Sequence, residues 1–127
     1  MQEKHLFEYA IVRLVPRVER EEFLNIGVVL YCKSRKFLQV LFDLNESKLQ
    51  AFCCKLDIAE LRENLVAFER ICKGDVNGGA IAKLPLADRF RWLTATRSTV
   101  VQTSKVPPGL SADIDKTFQN LFNEQVL

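Results

Sequence analysis

The sequence predicts an α+β domain, an antiparallel sheet of about four strands in the order β-β-β-α-α-α-β-α with helices packed on it. Three observations carry that reading. Apolar runs rich in Val, Ile, Phe and Tyr recur between residues 7 and 44, joined by connectors short enough to favour antiparallel pairing. From residue 45 onward the apolar spacing changes to steps of three and four, the period of a helix. A short strand-like run and a proline break then precede a last amphipathic stretch.

The first strand is expected over 7–15. Its two faces, Phe7-Tyr9-Ile11-Arg13-Val15 and Ala10-Val12-Leu14, are both largely apolar, which marks an interior strand covered on both sides. Pro16 ends it, because proline cannot donate to a ladder. A second strand follows over 26–32, where Gly27 leaves room for a bulge or a close backbone approach. Lys33, Ser34, Arg35 and Lys36 make a polar turn into a third strand over 37–44, and the pair reads as a hairpin.

A short helix is expected from near Asn45, using Leu49, Phe52, Cys53 and Leu56. In the next, Asp57 is the N-cap, Glu60 completes a capping box, and Leu56 with Leu61 forms a staple. Ile58, Leu61, Leu65, Phe68 and Cys72 make one apolar stripe, with Arg70 and Lys73 at the end that favours positive charge and Gly74 as terminator. Pro85 opens a third helix with Leu86, Phe90 and Leu93 inward. Residues 99–103 read as a fourth strand at a sheet edge and 105–109 as an extended break. Ser111 caps a final helix with Ile114, Phe118, Leu121, Phe122 and Val126 on its apolar face.

At 127 residues and 48% hydrophobic content the chain is read as a single domain, 1–127, large enough for a continuous core. No apolar stretch approaches the roughly 18 residues of a membrane span, and the N-terminal residues lack a secretory pattern, so a cytoplasmic location without membrane attachment is expected. That compartment keeps Cys32, Cys53, Cys54 and Cys72 reduced, and they read as buried thiols. With one histidine, His5, and no Cys-x-x-Cys pair, no metal or cofactor site is expected.

Arg13 is a charge on an otherwise apolar strand face and therefore requires a partner. The acidic connector that follows offers Glu19, Glu21 and Glu22, so an ion pair locking connector to sheet is the structural expectation. The functional alternative is a guanidinium reserved for an anionic ligand or a partner. Arg13, Arg17, Glu19, Glu22 and Asn25 together form the candidate partner surface. Asn25 can bond the local backbone and Phe23 can plug the core.

The spacing Tyr9-x-x-x-Arg13-x-x-Pro16, followed by Glu22-Phe23-x-Asn25-x-Gly27-Val28, resembles the bacterial domain-of-unknown-function family 3037. The strand at Val100 to Thr103, the proline break and the helix bearing Leu121 and Phe122 are similar to that family's C-terminal part. The resemblance spans nearly the whole chain and brings no catalytic residues with it. Members are often encoded beside a kinase-like protein resembling the HipA toxin kinases, which implies a protein partner.

Net charge is only +2, too small to demand a polyanion. Residues 89–112 nevertheless contain Arg89, Arg91, Arg97 and Lys105 and no carboxylate. With Trp92 they form the candidate anion or nucleic-acid surface, since arginines beside aromatics hold phosphates and stack on bases. Phosphate-loop, nucleophile-elbow and zinc-protease motifs are all absent from the sequence. A third reading, a metal-dependent hydrolase built on Asp43, Glu46 and Lys48, needs the Glu-x-Lys pair on a strand where a helix is expected. The leading expectation is a small non-enzymatic protein that binds another protein, with a HipA-like kinase as the implied partner. A second subunit is an alternative cover for the apolar strand faces.

Overall fold

Strand β1 (His5–Leu14) lies between two helical layers, as its doubly apolar pattern requires. The structure, a computed structural model, describes residues 3–15, 22–53, 57–95 and 100–127. Beside β1 run β2 (Leu24–Cys32) and then β3 (Phe37–Phe42), each antiparallel to its neighbour. The opposite edge of β1 carries two short strands in succession, β4 (Val101–Thr103) and β5 (Pro108–Ser111). Between them Ser104 bridges the interrupted ladder. Its N–H donates to the Ile11 carbonyl at 2.9 Å, and its hydroxyl accepts from the Ile11 N–H at 2.9 Å.

The expected fourth strand is present at the sheet edge, but the proline break is less of a break than expected. Pro108 and its followers pair with β1, because a proline on an edge strand gives up only a donor that faces away from the sheet. This adds β5 to the predicted order.

Helices α1 (Glu46–Phe52), α2 (Ile58–Lys73) and α3 (Leu86–Leu93) follow the hairpin, with short 3-10 turns at Val76–Gly78 and Ile81–Lys83. Helix α4 (Ile114–Gln125) ends the fold. One sheet face, with Ala10, Val12, Leu14 and Val29, packs on Leu61, Leu65, Phe68 and Phe90 of α2 and α3. The other, with Phe7, Ile11, Val28 and Leu30, packs on Ile114, Phe118 and Phe122 of α4. Each of these large side chains contributes about 1.5–3 kcal/mol relative to its exposed state.

The helix ends match the caps read from sequence at Asp57 and Gly74, and Asn45, near which a helix was expected to start, is itself an N-cap. The Asn45 side chain accepts from the Lys48 N–H and the Asp57 side chain from the Glu60 N–H, each at 3.1 Å, while Gly74 takes φ 68°. Leu56 of the expected staple lies outside the described residues. At α4 the cap is Asp113 rather than Ser111. Burial of Ile114 sets where the helix starts, and Ser111 instead accepts from the Asp113 N–H at 3.0 Å.

Both readings of Gly27 hold. The β1–β2 register slips between Val12, opposite Gly27, and Arg13, opposite Asn25, so Ile26 is the extra residue of a bulge. A side chain at Gly27 would meet the Leu41 carbonyl oxygen and the Phe42 ring, both 2.6 Å from an ideal Cβ. Gly27→Ala is therefore expected to destabilise the fold by about 1–3 kcal/mol. Urea unfolding with an unchanged m-value would show it as a lowered midpoint.

Candidate functional site

The bulge decides what stands beside Arg13. It turns Ile26 into the core under α2 and α3 and returns Asn25 to the α4 side of the sheet. There the Asn25 amide Nδ2 donates to the Gln125 carbonyl at 3.0 Å, and Lys48 Nζ donates to the Val126 carbonyl at 3.4 Å. A polar strand residue and the lysine of α1 thus cap the C-terminal end of α4, where helix carbonyls lack partners and attract positive groups.

Arg13, directly across the ladder from Asn25, lies with its guanidinium carbon 4.1 Å from the centre of the Phe23 ring. Such a cation–π contact is worth about 0.5–2 kcal/mol, depending on its exposure. Phe23 itself is 48% exposed, so it does not plug the core. Glu22 is solvent-facing, and among the described residues Arg13 forms no ion pair. Of the three acids expected to pair with Arg13, Glu22 does not, and the Phe23 ring lies beside the guanidinium. Glu19, Glu21 and Arg17 lie outside the described residues. Two buried side-chain atoms at this corner, Arg13 Nε and Asn25 Oδ1, have no hydrogen-bond partner among the described residues.

The basic segment behaves differently. Arg89 is partly engaged within the fold. Its Nη1 donates to the Ile71 and Cys72 carbonyls at 3.0 Å, and its Nε donates to the Leu84 carbonyl at 2.9 Å, so it closes the C-terminal end of α2. Arg89 of the candidate anion surface therefore has a structural role through Nε and Nη1, while its second terminal nitrogen, Nη2, takes no part in these bonds. Phe90 is buried, as its place in the apolar stripe implied. Arg91 and Lys105 are exposed, and Arg97 lies outside the described residues. Trp92, 40% exposed, lines a groove of about 490 Å³ with Phe68, Leu93 and Val101, so its ring has apolar company from the fold.

The Asp43, Glu46 and Lys48 set is dispersed. Glu46 pairs with Arg62, Lys48 bonds the Val126 carbonyl, and both lie on α1 rather than on a strand. Among the described residues no three His, Cys, Asp or Glu side chains gather as metal ligands would. Cys32 and Cys72 are buried free thiols, Cys53 is half-buried and Cys54 lies outside the described residues. Burial pushes the Cys72 thiol up to about 12, against the opposing pull of the Arg89 guanidinium.

Fold and site define a small α+β domain whose distinguishing feature is a polar corner, Arg13, Phe23 and Asn25, set against a helix C-terminus. The chain belongs to a protein family of unknown function, DUF3037, whose family model matches residues 9–126. No curated protein and no solved structure matches it. Among the described residues no helix is long and apolar enough to cross a membrane.

The signal for Arg89 was present in its position four residues after Pro85, on the side of α3 facing α2, but only the packing of the two helices showed its targets. Arg89→Ala is expected to lower stability by about 1.5–3 kcal/mol, since charged donors leave main-chain carbonyls unpaired. Arg89→Lys should recover only part of that loss, lacking the planar fork. Thermal unfolding of both variants tests this.

Cys72 makes a second expectation. Its folded-state affinity for a proton is raised above the ordinary thiol value of 9.0, so its contribution to stability is full below pH 9 and is lost as pH rises toward about 12. Stability measured from pH 8 to 11 should fall less steeply in Cys72→Ala than in the parent chain.

Proposed function

We propose that this protein is a binding module that recognises a segment of another protein at the Arg13, Phe23 and Asn25 corner. The observation that supports it is the pair of buried atoms without a hydrogen-bond partner among the described residues, one donor and one acceptor, on residues paired across the β1–β2 ladder. An unsatisfied buried polar atom costs about 1–3 kcal/mol and is uncommon in native structures. A peptide group answers both at once, its carbonyl accepting from Arg13 Nε and its N–H donating to Asn25 Oδ1. A bare phosphate would satisfy the arginine but would set its oxygens against the Asn25 oxygen. The half-exposed Phe23 supplies the apolar anchor that protein interfaces favour. Engagement of these buried atoms requires the corner to open, and Phe23 lies half-exposed beside the guanidinium there. Glu22, exposed beside Phe23 in the chain, borders the same corner.

The partner that the family resemblance implies is a HipA-like kinase, and it is the first to test. Arg91, Trp92 and Lys105 remain the basis of a nucleic-acid reading in which Arg89 also has a structural role. A photo-crosslinking amino acid placed at position 23 should trap one protein partner in cells of the source organism. Phe23→Ala should weaken binding to that partner about tenfold or more, a hot-spot magnitude, with little change in melting temperature. Crosslinking to RNA instead, abolished by Arg91→Ala, would replace this reading with the nucleic-acid one.

A further inference from the structure

The two edges of the sheet are defended unequally. On the β4–β5 side the edge is broken at Ser104 and carries Pro107, Pro108 and Gly109, features that blunt an edge against new pairing. Strand β3 has none of them. Its six residues, Phe-Leu-Gln-Val-Leu-Phe, contain no charge, proline, glycine or bulge. The Asp43 N–H donates to the Ile26 carbonyl at 2.8 Å, which makes that pair a hydrogen-bonded one. By alternation residues 37, 39 and 41 direct their main-chain groups toward β2, and Leu38, Val40 and Phe42 direct theirs away from the sheet. Among the described residues nothing pairs with that edge. A groove of about 690 Å³ runs beside it, lined by Leu38, Val40, Cys72 and Leu86 and rimmed by Lys36 and Lys73.

The charges at the ends of β3 indicate what fits. The turn before it is basic, with Lys33, Arg35 and Lys36, and the residue after it is Asp43, which forms no ion pair among the described residues. An edge that is positive at its start and negative at its end is complementary to its own antiparallel copy. We propose that β3 pairs with β3 of a second copy of this chain across a two-fold axis at Val40, joining two sheets into one. In that register Leu38 faces Phe42 of the second copy, so every outward N–H meets an outward carbonyl. Asp43 of each copy lies diagonal to Arg35 of the other, within the reach of a long side chain. The contact is isologous and closes on itself, which gives a dimer rather than a fibre. It uses the sheet edge at Val40 and not the Arg13 corner.

Analytical ultracentrifugation of the full chain tests this. The parent chain should sediment as a dimer, and Val40→Pro, which removes an outward donor and spares the β2 ladder, should sediment as a monomer with an unchanged far-ultraviolet spectrum. Arg35→Asp and Asp43→Arg should each weaken the dimer about tenfold or more, and the two together should restore it. The charge pair decides the matter should Val40→Pro fail to fold. A parent chain that stays monomeric up to about 1 mM, the weak limit of specific association, overturns the proposal. So does a dimer indifferent to all of these substitutions.

Discussion

The close approach of β3 to Gly27 is the constraint on which the rest of the molecule depends. With the Leu41 carbonyl and the Phe42 ring where a side chain would start, only glycine lets β2 and β3 lie together at that point. The adjoining bulge lets one strand serve two layers out of alternation. Ile26 enters the core beneath α2 and α3, and Asn25 reaches the end of α4 on the opposite face. A regular strand would put Asn25 against apolar side chains and Ile26 into the polar corner, at a cost of several kcal/mol for the buried amide alone. The candidate site is in this sense a by-product of how β2 is bent.

Two arginines show how one residue type takes opposite roles according to what the backbone offers. Arg89 meets the C-terminal turn of α2, where the carbonyls lack a full set of intrahelical donors, and its Nη1 donates to two of those main-chain oxygens. Arg13 projects from the end of β1, at the register slip opposite Asn25. It has an aromatic face beside it and a neighbouring amide whose donor is turned to α4. What remains there is an unsatisfied donor and an unsatisfied acceptor, a combination that suits a peptide better than a simple anion. The family match defines kinship without assigning a role, so the role has to be argued from such local chemistry.

Much of the fold was legible in the residues because it rests on short-range rules. Caps at Asn45, Asp57 and Gly74 are satisfied by atoms only a few positions away, and the alternation of β1 already required cover on both faces. The site was legible only in outline. The positions of Arg13 and Asn25 stood out as polar groups in apolar surroundings, but their partners did not. Glu22 was one of three acids the connector offered, yet it faces solvent, and the guanidinium lies against Phe23.

By itself, then, the sequence determined the kind of elements, their order and most of their ends, all properties of neighbouring residues and of periodic burial. Only the tertiary structure decided that Pro108 would join an edge strand, that Asp113 and not Ser111 would start α4, and that Arg89 would close α2. Each of these depends on which groups arrive from distant parts of the chain and on whether a polar atom's demand has already been met there. That competition for partners is settled by packing in three dimensions, and no local pattern records it.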